Sequence, residues 1–460
     1  MNLKKMMTVA AMAAAGVLLA DVSVEDVKCT QRYPWNGLVD IEYTIACDDP
    51  EAEIYVNPVG FNGDTGLTVF PTHFTGDGAT NTVKAGKHTM VWDAKADMGN
   101  LFSAKNFQIK MYAGKKLSRY IVIDISGGTE AEDYPVRHSI EGPNLTDDTC
   151  RTTEIWMRLI PPGTFMMGSP EDELGRSDNE DLHKVTLTQP YYMGVFEVTQ
   201  RQWELVMGNR PSRFSNDAEY ATRPVESVTY AEIRGAPDTY KTTATTLAAA
   251  SFLGVLRTKT DCSGFDLPTE SQWENACRVG SISALNNGAN LANANGDPSL
   301  NLLGRYYENG WNGNAWSESS STAITTARVG SFMPNAYGLY DMHGNVSEWC
   351  LDGYKEGYRG SVFYETDFRD IAHWGYEPLV DPFWHYEYFS QRAGDYQTDY
   401  EYQRVLRGGS WYDHASYCRS AGRRGCKVLS YRQNISSRQY VSETRDSSYG
   451  FRVCCMGNLL

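Results

Sequence analysis

Alternation of apolar and polar positions dominates the first quarter of the chain. Asp40–Ala46 (DIEYTIA), Thr89–Trp92 and Phe107–Tyr112 (FQIKMY) read as short strands, and turn signals at Asn62-Gly63-Asp64 and Gly76-Asp77-Gly78 separate them. Residues 21–128 therefore predict an all-β, sandwich-like domain of the immunoglobulin or fibronectin kind, closed by a last strand at Arg119–Ile125. Residues 129–153 are Gly-, Pro- and Asp-rich and predict a linker. From Glu154 the texture changes: a strand at Glu154–Ile160 leads through Pro161-Pro162-Gly163 into Thr164–Gly168. Thr199–Gln202, Thr229–Glu232 and Thr269–Gln272 are capping boxes that open three helices. Gly208 and Gly280 end the first and third. A further helix is expected at Ala244–Arg257, and beyond Gly280 the chain reads as loops and short strands without an internal repeat.

At the N-terminus, Lys4-Lys5 precede an uncharged apolar run, Met6–Ala20, that ends in a small residue. This is the pattern of a signal peptide cut before Asp21, and it predicts export to the periplasm, cell surface or medium. The run is too short to span a bilayer, so a membrane-spanning protein is not expected. A net charge of -15 argues against nucleic acid as a partner. Export turns the ten cysteines into candidate disulfide partners. Cys29 and Cys47 could pair locally, whereas the other pairings stay open; neither CxxC nor CxxH spacing occurs.

Chemistry concentrates in Arg404–Cys418 (RVLRGGSWYDHASYC). Beside the Gly408-Gly409 bend lie the hydroxyl of Ser410, the indole of Trp411, the acid Asp413, the imidazole of His414 and the thiol of Cys418. Tyr412 and Tyr417 complete a candidate binding groove. Ser-His-Asp order, GxSxG, HExxH and the P-loop are all absent.

The succession IPPGTFMMGS (160–169), VFEVTQRQWELVMG (195–208), RPVESVTYAEI (223–233), FDLPTESQWENACRVG (265–280), VGSFMPNAYGLYDMHGNVSEWC (329–350), RVLRGGSW (404–411) and YGFRVCC (449–455) resembles the sulfatase-modifying factor family, which includes the formylglycine-generating enzyme. The resemblance runs over residues 154–456 and implies an α+β, loop-rich domain with a C-type-lectin-like core. Active members hold copper(I) between two cysteines and oxidise a sulfatase cysteine to formylglycine. Cys418 matches the second cysteine, with Ser410 beside it, but Asp413 occupies the position of the first. A carboxylate is a poor ligand for a soft cation, so copper is not expected here. Cys426 lies close enough in sequence to substitute only at a different geometry. Ser347 stands where active members carry a tryptophan lining the substrate groove.

The resemblance also implies calcium. In GLYDMxGNVxEW the ligands would be the Asp341 side chain, the carbonyls of Gly344 and Val346, and the Glu348 carboxylate, a hard oxygen set that suits this ion. A second calcium loop of the family is not matched by Asn286–Trp316. The family disulfide would join Cys277 to Cys454 or Cys455. The iron-binding histidine motif of related sulfoxide synthases is absent. The aromatic segment Tyr354–Tyr402 reads as a self-packed insertion or a stacking platform.

Three functions follow as expectations. The first is a calcium-stabilised binding or non-oxidase member whose groove takes a peptide, protein or carbohydrate. The second is a formylglycine-generating oxidase acting on a sulfatase through Cys418. The third is a ligand-binding variable protein of a diversity-generating retroelement, diversified at Tyr412-Asp413-His414, Tyr417, Gly422, Arg424-Gly425-Cys426 and Gln433-Asn434-Ile435.

Overall fold

The computed structural model describes residues 22–98, 106–215, 218–235, 247–310, 325–354, 379–381, 388–390, 398–434, 437–442 and 444–456. The N-terminal unit is a sandwich. One sheet orders Val22–Gln31, Leu38–Cys47, Gly86–Asp93 and Phe74–Gly76; the other orders Leu67–Val69, Tyr55–Asn62 and Phe107–Gly114. Alternation along Leu38–Cys47 delivers Val39, Ile41, Tyr43 and Ile45 to the space between the sheets. Trp92 stacks on Phe107 there, with ring centroids 5.5 Å apart. Asp97 closes one end, accepting from Thr72 N at 2.8 Å and from Trp92 Nε1 at 2.7 Å.

Three sequence expectations are corrected in this half. The strand expected at Arg119–Ile125 does form, as Tyr120–Asp124, but it pairs with Glu154–Ile160 and so belongs to the sheet of the following unit. The expected linker, 129–153, carries a further strand, Val136–Ser139, at the edge of that sheet, and a helical turn at Thr149–Thr152. Register explains the first shift, because Ile121 and Ile123 face the core that Met157 and Ile155 also enter. The local Cys29–Cys47 pair also fails. Cys29 sits opposite Ile41 and Cys47 opposite Val22, so most of a strand separates them, roughly 20 Å, well beyond disulfide reach.

In the second unit a six-stranded sheet orders Phe265–Asp266, Cys454–Met456, Tyr191–Gly194, Glu154–Ile160, Tyr120–Asp124 and Val136–Ser139. Another runs Ser437–Ser442, Arg423–Asn434, Thr398–Arg407, Ser347–Gly353 and Tyr449–Gly450, with Tyr388–Ser390 added on Thr398–Arg407. All three capping boxes form: Thr199 opens Gln200–Met207, Thr229 opens Tyr230–Ile233, and Thr269 opens Glu270–Arg278. After the third of these helices Val279 caps the end in left-handed backbone, and the expected Gly280 follows it at φ 79. The helix expected from Ala244 starts only at Phe252, because Ser251 caps it by accepting from Gly254 N at 3.2 Å. Of the aromatic segment, 355–378, 382–387 and 391–397 lie outside the described residues, as does the expected signal peptide.

Candidate functional site

Buried ion pairs position the Arg404–Cys418 segment. Arg407, at the end of Thr398–Arg407, is fully buried and pairs with Glu274 on the Glu270–Arg278 helix. Its other donors reach the carbonyls of Ser420, Ala421 and Gly422 at 2.8–3.0 Å, pinning the far end of the loop. Between these anchors Gly408 and Gly409 turn the chain at φ 88 and 69. A Cβ on Gly409 would meet Cys418 Sγ at 2.6 Å, so only glycine fits.

Within the turn, Ser410 and Asp413 bond to each other rather than face a substrate. Ser410 Oγ donates to Asp413 Oδ2 at 2.5 Å and accepts from Tyr412 N at 3.3 Å, and Ser410 is fully buried. Arg424, across the strand turn, grips the same carboxylate: Nη1 reaches Oδ1 at 3.0 Å and Nη2 reaches Oδ2 at 2.5 Å. Nη2 also donates to Ser347 Oγ at 2.5 Å. The two positions that depart from the family pattern, Asp413 and Ser347, thus share one guanidinium.

Cys418 is fully buried behind this cluster, and burial followed by the Asp413 charge pushes its thiol far above the ordinary range. A thiol so placed is neither thiolate nor exposed. Cys426 packs in a different apolar cluster from Cys418, and its thiol is likewise raised, to about 11. The donor set therefore does not fit copper(I): one protonated thiol and a carboxylate already paired replace two convergent thiolates.

The exposed side of the same segment is aromatic. Tyr412 and Tyr417 are 47% and 53% exposed. Tyr307 stands edge-on to Tyr412 and to His414, with centroids 6.2 and 5.1 Å apart. His414 Nδ1 lies 3.4 Å from Glu308 Oε1. Trp411 is buried beneath, against Phe214, its Nε1 donating to Ser447 O at 2.9 Å. Of the five expected groove residues, Tyr412, His414 and Tyr417 reach the surface, while Trp411 and Asp413 lie beneath them. Among the positions assigned to diversification, Tyr412 and Tyr417 are exposed, but a Cβ on Gly422 or Gly425 would come within 2.6 Å of Tyr417 O or 2.2 Å of the Tyr354 ring.

The expected calcium loop folds over a buried acid cluster. Asp341 Oδ2 accepts from Gly330 N at 2.7 Å, while its Oδ1 is buried without a hydrogen-bond partner. Glu348 gives both oxygens to the buried Arg452, at 2.5 and 2.6 Å. Glu197, which motif reading passed over, accepts from Asn345 Nδ2 at 2.5 Å and Val346 N at 3.0 Å. Burial, then the Asp341 and Glu348 charges, push Glu197 well above the carboxylate range, and burial holds Asp341 near about 6. Three acids around one arginine and an unpaired oxygen fit an added cation at Asp341. Among the described residues no three His, Cys, Asp or Glu side chains form a cage, so such a cation would also draw on backbone carbonyls.

Two further residues make contacts that sequence reasoning did not assign to them. Arg424 carried no local signal, since its partners lie 11 and 77 residues away. His343 donates through Nδ1 to Cys418 O at 2.7 Å and accepts at Nε2 from Asn286 N at 3.1 Å; burial pushes its imidazole down to about 4. The expected family disulfide is not made. Cys277 Sγ rests on Ser420 Oγ at 3.6 Å and on His343, Cys454 Sγ faces Gln272, and Cys455 Sγ lies 3.9 Å from Cys262 Sγ. The strand pairing Phe265↔Cys455 brings the 262–266 turn, not the helix at 277, alongside Cys455.

A mixed, loop-rich domain with a glycine-bent groove loop above a buried acid cluster defines the class of protein. Residues 143–454 match the sulfatase-modifying factor enzyme 1-like domain, and the chain belongs to that family. It is 30% identical over 186 residues to the chaperone protein LppX of Paenibacillus barcinonensis, covering 36% of this chain and 64% of the relative. It is 32% identical over 190 residues to the formylglycine-generating enzyme of Streptomyces coelicolor, covering 41% of this chain and 45% of that enzyme. The chain thus spans less than two thirds of either relative. Among solved structures, Treponema denticola variable protein 1 aligns at a TM-score of 0.41 and 25% identity, over 66% of this chain and 96% of that one.

Proposed function

We propose that this protein is a ligand-binding, non-oxidase member of the family, exported and stabilised by calcium, with the Tyr412–Tyr417 face as its binding surface. The single observation that carries the reading is the Arg424 bridge between Asp413 and Ser347. It fills, with a neutralised polar cluster, the place where the resemblance puts half of a copper site and the wall of the substrate groove. Behind it Cys418 is sealed from solvent. In front, two exposed tyrosines, Tyr307 and His414 form a face of large, rigid side chains of the kind that anchors peptide or sugar ligands. Calcium is supported by the surplus of buried acid around Arg452 and the unpaired Asp341 Oδ1, and export by Lys4-Lys5 and the apolar run after them.

The test is a titration of reduced protein with copper(I) against a competing chelator, followed by aerobic incubation with a cysteine-containing sulfatase peptide. Neither tight stoichiometric copper nor formylglycine is expected. Both appearing together would overturn the reading in favour of an oxidase. A glycan and peptide array, probed with the wild type and with Tyr412→Ala/Tyr417→Ala, tests the surface itself; equal signals from both proteins would remove it.

A further inference from the structure

A cavity of about 320 Å³ lies at the seam between the sandwich and the family domain, walled by Asn57–Val59 and Phe70–Thr72 of the sandwich, Arg119 and Tyr120 of the junction, and Arg158 and Tyr337 of the family domain. None of its lining residues comes from the Arg404–Cys418 segment. Two guanidinium groups line it, and not one carboxylate does.

The cations are poorly satisfied. Arg158 Nη1 donates to Arg119 O at 3.0 Å and its Cζ lies 5.1 Å from the centre of the Tyr120 ring, but Nε is buried without a hydrogen-bond partner. Arg119 Nη2 donates to Ala79 O at 2.7 Å. Among the described residues neither guanidinium has a carboxylate partner; the Arg158 charge acts on Arg119, and tyrosines surround Arg158. Burial and mutual repulsion push Arg119 down to about 10. The hydroxyl of Tyr337, whose ring packs 4.8 Å from Phe70, is also buried without a partner.

Two half-buried guanidinium groups that share one cavity without an acidic neighbour leave charge that an added anion can balance. The planar guanidinium fork matches carboxylate, phosphate or sulfate oxygens, and charge-assisted bonds are the strong ones. Pro58, Phe70, Pro71, Leu159 and Pro161 form the apolar part of the remaining wall, beside the polar Asn57, Thr72 and Asn335. The volume is at the small end of the ligand-pocket range, roughly 300–1,000 Å³. We propose that this cavity binds a small organic oxyanion on a compact apolar or ring body, with Arg158 and Arg119 holding the anionic group and the Tyr337 hydroxyl donating a further hydrogen bond.

The experiment is thermal denaturation and calorimetric titration of the full chain with benzoate, phenyl phosphate and phenyl sulfate, which separate the three anion types. Benzyl alcohol and sodium chloride at matched ionic strength are the controls. At least one anion is expected to raise Tm in a saturable way, with the controls inactive. Arg158→Met, which keeps the aliphatic stem and removes the charge, is expected to fold and to weaken binding about tenfold or more. Tyr337→Phe, which removes one oxygen, is expected to weaken it severalfold. If no anion outperforms matched salt, or if both variants bind like the wild type, the proposal fails. Copper and array results at the groove bear on neither outcome.

Discussion

Arg424 holds Asp413 by both carboxylate oxygens, at 3.0 and 2.5 Å, from the opposite arm of the strand turn. The pair is partly shielded, with the Asp413 side chain 11% exposed and that of Arg424 30%. Removing one partner leaves the other, and Ser347, with unmatched polar groups. Asp413→Ala should destabilise by about 2 kcal/mol, read by denaturant unfolding. The double variant Asp413→Ala/Arg424→Gln should recover part of that loss, and strict additivity would show that the two side chains do not act together.

Cys418 should be chemically silent. It is fully buried and its thiol is raised by burial, whereas Cys47 alone among the ten cysteines is not buried. Brief iodoacetamide treatment of native, reduced protein should label Cys47 first and Cys418 only in denaturant, as read by peptide mass spectrometry. Native labelling of Cys418 would contradict the sealed pocket.

The groove tyrosines should be separable from the fold. Tyr412 and Tyr417 are exposed, so either alanine variant should alter unfolding free energy by no more than about 0.5 kcal/mol. Ligand retention on the array should nonetheless fall. Trp411→Ala, in contrast, should lose about 3 kcal/mol or more, because that ring is buried against Phe214.

The acid cluster should report calcium. Glu348 is paired with Arg452, but Asp341 keeps an unpaired oxygen beside Glu197. A chelator should lower the Tm of the wild type, and added calcium should restore it. Asp341→Asn should abolish that response. Arg452→Met should cost about 3–5 kcal/mol, because three buried acids would lose the cation they share.

His138 should give the junction an acid sensitivity. Its Nδ1 donates to Ser118 Oγ at 2.8 Å and its ring packs on Tyr55 of the sandwich. Burial, then the Lys116 charge, hold its pKa below the usual imidazole value of 6.5. The unfolded chain therefore takes up this proton first. The contribution of His138 is complete above pH 6.5 and declines as pH falls below it. Tm measured downward from pH 7 should fall less steeply in His138→Asn than in the wild type; parallel curves would remove His138 from that slope.

Local signals carried much of the architecture. Period-two alternation placed the sandwich strands, and the Thr-x-x-Gln and Thr-x-x-Glu boxes placed three helix starts, because a capping box acts within one turn of chain. The string of motifs from Ile160 to Cys455 identified the family. Ser251 overrode the expected helix start at Ala244 through one hydroxyl, a detail that apolar periodicity does not encode.

The sequence by itself determined which residues could be reactive: that Asp413 stands where a thiol was expected, and that Asp341 and Glu348 are two acids on one glycine-bent loop. Only the tertiary structure decided what those residues do. Arg424 meets Asp413 and Ser347 through a strand pairing, Cys418 is sealed by the close approach of Gly409, and Glu197 joins Asp341 from 144 positions away. Arg119 and Arg158 face one cavity because Arg158 pairs with Tyr120, the residue next to Arg119, across neighbouring strands. Charge pairing and burial depend on distances across the fold, and those distances are set by sheet register and domain packing rather than by spacing along the chain.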